Sequence, residues 1–314
     1  MSKVAFVFPG QGSQTVGMGK ELADKYEEVG RYFQKADSKL GTDLSSIIFE
    51  GPQEELTQTT NAQPALLTTS IAILDRLKQE GIQADYTAGH SLGEYSALVA
   101  SGSLSFEDAV YAVRKRGEFM EEAVPSGEGT MAAVLGMDRE ALKEITDRVS
   151  EEGHSVGLAN LNCPGQIVIS GTVAGVEAAS NLAKDGGAKR VIPLQVSGPF
   201  HSQLMKPAAE KFVGILDSVS INDASIPVIA NVTASPVQGA EEIKRLLIEQ
   251  LYSPVLWEDT VEKLLDLGVD TFVEIGSGKV LSGLIKKVNR RVKTFAVQDE
   301  ASLAEAIEKL KGEQ

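Results

Sequence analysis

The pentapeptide Gly89-His90-Ser91-Leu92-Gly93 constrains this chain more than any other feature. It lies between a short strand candidate at 85–88 and a helix-forming segment at 94–100. In strand–turn–helix context, G-x-S-x-G forms a turn so sharp that glycine must flank it, and it lifts the serine oxygen above the C-terminal end of a sheet. Such an elbow is built where a strand feeds directly into a helix, which commits the chain to an α/β architecture. The main-chain N–H of Leu92, at the helix start, is then available to an oxyanion.

The rest of the chain agrees. Residues 4–8 read as a buried strand stopped by Pro9-Gly10, and 19–40 and 52–80 as helical. Ser105, with Asp108 three positions on, is placed to cap a helix over 105–120. Between 126 and 197 the rhythm changes: strand 130–135, helix 138–151, strands 156–161 and 166–170 around a Cys163-Pro164-Gly165 turn, helix 173–184, strand 190–196. That β-α-β-β-α-β order is ferredoxin-like. Beyond it, strands at 227–231 and 271–275 alternate with helices at 241–251 and 258–266. The expectation is a hydrolase-like α/β core with a mostly parallel sheet, formed by 1–125 and 198–314, carrying a small ferredoxin-like domain at 126–197.

Composition narrows the function classes. A formal charge of −14, from 30 basic and 44 acidic side chains, argues against a nucleic-acid partner, which needs a basic footprint. A single cysteine, Cys163, cannot form an internal disulfide and fits a reducing compartment. The first apolar run is too short for a signal-peptide core, and none approaches the ~18–20 residues that span a bilayer. A cytoplasmic protein without membrane contact is expected.

A reactive serine needs a base, and the chain has three histidines. His90 adjoins the serine on a sharp turn, where neighbouring side chains point apart. His154 sits in a polar turn. His201, in Ser197-Gly198-Pro199-Phe200-His201-Ser202, lies where the chain re-enters the large domain and is the candidate by elimination; a packed loop histidine is the bland alternative. Many acids are present, and nothing local chooses among them. Gly10-Gln11-Gly12 lacks the third glycine of a dinucleotide fingerprint, and Gly276-Ser277-Gly278-Lys279 lacks the outer residues of a phosphate loop. Cys163 has no ligand partner at zinc spacing, so no metal site is expected.

Taken together, the segments FPGQGSQ (8–14), GHSLGEYSAL (89–98), Arg116-Gly117, Asn160, Asn162, GPFHS (198–202), Asn231-Val232-Thr233, and Gln250 ahead of Pro254-Val255 and Trp257 resemble the malonyl-CoA:acyl carrier protein transacylase family along the whole chain. The resemblance implies a malonyl transfer from coenzyme A to acyl carrier protein by a ping-pong route, with both thioesters as substrates and no cofactor. It implies Ser91 as nucleophile, His201 as base, Gln250 holding His201 through its main-chain carbonyl, and the N–H groups of Gln11 and Leu92 as oxyanion hole. Arg116 would pair with the malonate carboxylate; Asn160, Asn162 and Asn231 would line the cleft between domains.

An arginine fork suits a carboxylate. On the 105–120 helix, however, Arg116 falls roughly 70° from the apolar centre and Arg114 roughly 90° on the other flank, so geometry does not separate them. Leu92 and Pro199-Phe200 look like the malonyl-selecting residues of related polyketide acyltransferase domains. Carriers of this type are acidic, so a local basic cluster is expected to dock one: Lys286, Lys287, Arg290, Arg291 and Lys293, or Lys189 and Arg190. A monomer is the default expectation. A serine thioesterase or esterase, a stand-alone polyketide acyltransferase and a non-catalytic carrier-binding module are the alternatives, separated by product analysis.

Overall fold

Among the described residues, ten strands are arranged in two sheets. The structure is a computed structural model that describes residues 2–125 and 127–312. Ser126, where the sequence reading starts the insert, and residues 1 and 313–314 at the chain ends lie outside the described residues.

The strands are β1 (Lys3–Phe8), β2 (Tyr86–Gly89), β3 (Gly129–Leu135), β4 (Val156–Cys163), β5 (Gln166–Thr172), β6 (Arg190–Pro193), β7 (Val228–Ile229), β8 (Pro236–Val237), β9 (Val269–Ile275) and β10 (Lys293–Val297). The large sheet runs β10-β9-β1-β2-β7-β8, parallel throughout except for the β7–β8 pair. The small sheet, β4-β5-β3-β6, is antiparallel. With helices Arg139–Glu151 and Val173–Asp185 it gives the expected β-α-β-β-α-β order and has its own core around Val134, Leu142, Ile169 and Val176.

Register decides where the loops meet. Phe8 pairs with Gly89 and Ala88 with Ile229, so β1, β2 and β7 end level. Gln11, Ser91 and Asn231, a few residues beyond those ends, therefore converge at the C-terminal edge of the sheet, where open α/β sheets bind ligands.

Several boundaries differ from the sequence reading, each for a physical reason. The expected 19–40 helix breaks at Tyr26, whose backbone is extended (φ −118°), into Lys20–Lys25 and Glu27–Leu40. The 52–80 helix breaks at Gln58, because Thr59 N–H opens a new helix, Thr59–Gln79, by donating to Glu121 Oε1 at 3.0 Å. Residues Leu44–Glu50 form a further helix. The 190–196 strand stops at Pro193, after which the chain leaves the sheet toward the cleft. Gly276-Ser277-Gly278-Lys279 does precede a helix, Val280–Val288. Its N–H groups at Leu281 and Ser282 are already taken, at 3.0 and 2.7 Å, by the buried Glu274 carboxylate, which does the work an anion would do there.

Among the described residues no helix is long and apolar enough to cross a membrane.

The two elbow glycines are fixed by contact. A Cβ on Gly89 would lie 1.9 Å from the Gly93 carbonyl, and one on Gly93 would lie 2.1 Å from Phe8 O. Gly93→Ala should therefore lower stability by about 3 kcal/mol, at the top of the overpacking range; a denaturant midpoint unchanged from wild type would contradict this.

Candidate active site

Ser91 occupies the elbow between β2 and helix Gly93–Ala100 with φ 52°, a left-handed conformation that a non-glycine residue adopts only when its surroundings impose it. Asn231 imposes it. Its Oδ1 accepts from Ser91 N–H at 2.7 Å, and its Nδ2 donates to Gly89 O at 2.6 Å, so one fully buried side chain clamps both arms of the turn.

His201 also has positive φ, 56°. Its Nε2 lies 2.8 Å from Ser91 Oγ and its Nδ1 2.8 Å from the main-chain oxygen of Gln250. A carbonyl can only accept, so Nδ1 carries the ring hydrogen and Nε2 is left as acceptor for the serine hydroxyl. Burial, and then the nearby Arg116 charge, push His201 down from 6.5 to about 3, so the imidazole is neutral across the physiological range.

Arg116, on helix Phe106–Glu122, is 1% exposed. One terminal nitrogen donates to Gln63 Oε1 at 2.8 Å. The other donates to Ser91 Oγ at 3.1 Å and to Gln250 Oε1 at 2.9 Å, and Nε has no acceptor among the described residues. All three acceptors are neutral. A guanidinium buried without a contacting carboxylate is costly unless an anion completes it.

Arg114 is spent elsewhere. Pro64, inside the Thr59–Gln79 helix, cannot donate to the carbonyl of Thr60, and Arg114 takes that oxygen at 2.7 Å together with Asn61 Oδ1 at 2.7 Å. The choice that the helical wheel left open is thus made by a proline on a neighbouring helix.

Leu92 follows the serine and Gln11 lines the same cleft as Ser91, and neither main-chain N–H has an acceptor among the described residues. The Gln11 side chain is tied back to Thr59 Oγ1 at 3.1 Å. A cleft of about 380 Å³ lies between the two sheets, walled by Gln11, Ser91, Arg116 and Phe200 on one side and by Met131 and Asn160 on the other.

Of the three asparagines, Asn160 alone stands on the cleft wall. Asn162 lies behind it and holds His90 Nε2 at 2.8 Å, while Asn231 is sealed beneath the elbow. His154 is exposed in its turn.

Sequence reasoning missed Gln63 and Glu94. Glu94, three residues past the serine, reads as an ordinary first-turn acid. Instead it is buried, and desolvation raises its carboxyl to about 7. Its one local signal is its place within GHSLGE, which does not reveal burial.

A family model for the acyl transferase domain matches residues 5–313. The chain belongs to the acyl transferase family. The malonyl CoA-acyl carrier protein transacylase of Bacillus subtilis (strain 168) is 66% identical over 313 residues, covering 100% of this chain and 99% of that one. The acyl carrier protein S-malonyltransferase of Vibrio cholerae O1 biovar eltor superposes with TM-score 0.95 at 45% identity, over 97% of this chain and 100% of that one. A type II polyketide synthase acyl-carrier protein in complex with its malonyl-transacylase matches with TM-score 0.95 and 44% identity, over 98% of this chain and 100% of that one.

For an acyl transferase with this histidine, serine reactivity should not fall where an ordinary imidazole protonates. With the His201 pKa lowered to about 3, Ser91 labelling by an uncharged organophosphonate should stay level from about pH 8 to about pH 5. A rate that halves near pH 6.5 would contradict it. Arg114→Ala should cost about 2 kcal/mol, since it leaves the Thr60 carbonyl unsatisfied, and should leave substrate preference unaltered, as thermal unfolding and acyl-CoA competition can check.

Proposed function

We propose that this acyl transferase moves a malonyl group from coenzyme A to the phosphopantetheine thiol of acyl carrier protein through an ester on Ser91. The observation that carries the reading is the Arg116 guanidinium 3.1 Å from Ser91 Oγ. A malonyl ester on that oxygen ends in a carboxylate only a carbonyl and a methylene away, within reach of a buried cation that no anion contacts among the described residues. The names of the relatives support the same substrate pair.

In this reading His201 takes the Ser91 proton, the oxygen attacks the thioester carbonyl, and the N–H groups of Gln11 and Leu92 receive the oxyanion. Coenzyme A leaves as the thiol, with the proton returned by His201. The carrier thiol then gives its proton to His201 and attacks the malonyl-serine, so the second half mirrors the first. Gln250 fixes the His201 tautomer. Asn160 is assigned to the substrate wall, and Asn162 and Asn231 to support of the elbow. The acyl group arrives and departs as a thioester, so coenzyme A and phosphopantetheine are substrates and no resident cofactor is called on. We further assign residues 126–197 to an inserted small domain, and we assign the protein to the cytoplasm as a monomer.

The first test is incubation with malonyl-CoA followed by intact mass and peptide mapping. A malonyl adduct on Ser91 that is discharged by acyl carrier protein and absent from Ser91→Ala is the expected result. Free malonate as the sole product would replace the reading with a thioesterase. Arg116→Ala should lower kcat/KM for malonyl-CoA by about a hundredfold or more, because a charge-assisted pair in a dry site is lost. Arg116→Lys should not restore it, since an ammonium cannot reproduce the planar fork.

For the carrier we favour Lys189 and Arg190. Both are exposed at the edge of the small sheet, Lys189 just before and Arg190 at the start of the strand that leads to the cleft-lining segment 194–197. In the other cluster, Lys286 is turned onto the backbone carbonyl of Val292, and Lys287 onto Gln166 Oε1 at 2.9 Å. Reversing the charges of Lys189 and Arg190 should raise the KM for carrier several-fold and leave that for free pantetheine unchanged; equal effects on both acceptors would refute the docking assignment.

A further inference from the structure

One buried ionisable group has no part in the transfer just described. Glu94 is 3% exposed, on the first turn of the helix after Ser91. A single oxygen of its carboxylate, Oε2, accepts from Gln250 Nε2 at 2.7 Å and from the main-chain N–H of Asn231 at 3.2 Å. Gln250, fully buried, uses the same Nε2 to reach Ser91 O at 3.0 Å, while its Oε1 accepts from Arg116 at 2.9 Å.

The two ends of the Gln250 amide thus face groups of opposite hydrogen-bonding sense. Glu94 Oε2 also takes the main-chain N–H of Asn231, so it meets the amide as an acceptor whether the carboxyl is ionised or carries its proton on Oε1, and a guanidinium can only donate. With Glu94 present, one of the two amide orientations satisfies every neighbour. The flipped orientation sets oxygen against oxygen at Glu94 and places two donors against each other at Arg116. In a buried site each such mismatch costs the desolvation of an unsatisfied polar group.

We propose that Glu94 is a positioning residue: its carboxylate fixes the Gln250 amide so that Gln250 Oε1 holds Arg116 in place for the acyl carboxylate. This rests on the assignment of Arg116 to that carboxylate. Glu94 does not touch the reacting atoms, and the main-chain oxygen of Gln250, not its side chain, holds His201. The role therefore separates recognition of a charged acyl group from the reactivity of the serine itself. The charged and titratable groups around Glu94 are Arg116 from helix Phe106–Glu122 and Tyr95 from its own helix; Gln250 and Asn231 present only uncharged groups to it.

The test compares two substrates of the serine, malonyl-CoA and an uncharged organophosphonate. In Glu94→Leu, which removes the acceptor, the KM for malonyl-CoA should rise about tenfold or more, and preference over acetyl-CoA should fall in step, while organophosphonate labelling stays within about threefold of wild type. Glu94→Gln, which can present an amide oxygen at the Oε2 position, should recover most of the malonyl-CoA affinity. Gln250→Leu should lower the malonyl-to-acetyl preference at least as far as Glu94→Leu does, and adding Glu94→Leu to it should lower that preference no further, as for residues acting in series. Gln250→Leu keeps the test decisive if Glu94→Leu does not fold. Equal losses with both reagents would mean a purely structural role and overturn the proposal, as would an unchanged malonyl-to-acetyl ratio in Gln250→Leu. Malonyl loading of the wild-type serine, measured separately, reports on the transfer reading itself, so failure of one is distinguishable from failure of the other.

Discussion

The left-handed turn at Ser91 is the constraint on which the rest of the site depends. Holding a serine at φ 52° costs about 1–3 kcal/mol, and the elbow glycines remove the clashes without supplying any attraction. The attraction comes from Asn231, delivered by the neighbouring parallel strand β7 at a register that sets its amide across the two arms of the turn. Once the turn is closed, the Leu92 amide is turned away from the helix ladder, the hydroxyl stands clear of the sheet, and the helix begins at Gly93. Each of these follows from one strained residue and one buried amide.

Around the turn, charge is arranged sparingly. A buried cation, Arg116, and a buried carboxyl, Glu94, are linked through the neutral side chain of Gln250 and do not bond each other directly. In a low-dielectric interior a direct ion pair would satisfy the guanidinium and leave it nothing to offer a ligand. The neutral spacer keeps it held but incompletely satisfied. The same residue's main-chain carbonyl supports His201, where a hydrolase would use a carboxylate. The resulting histidine is a weak base, and the leaving group asks little of it, because a thiol can depart with little protonation whereas the amine of a peptide cannot.

Much of this was legible along the chain. The elbow could be read because its requirement is local: five residues, a strand before and a helix after. Ser105 was a visible cap for a similar reason, and its hydroxyl does accept from Asp108 N–H at 3.0 Å. The β-α-β-β-α-β segment declared itself through periodicity alone. Failures of the reading came where a distant group intervened, as when Glu121 split a helix at Gln58 by capping Thr59. The phosphate-loop look-alike, set aside in the sequence for its missing outer residues, has its helix terminus filled by Glu274.

The sequence by itself determined the α/β class, the small inserted sheet, the serine turn and the short list of histidines, since each rests on contacts within one or two elements. Only the tertiary structure decided that Arg116 rather than Arg114 faces the serine, because a proline on another helix frees the carbonyl that occupies Arg114. It also decided that Glu94 is buried and that Gln250, 159 residues from Ser91, bonds the serine's own carbonyl. Those placements depend on strand register and helix packing, which bring together side chains whose spacing along the chain carries no trace of their meeting.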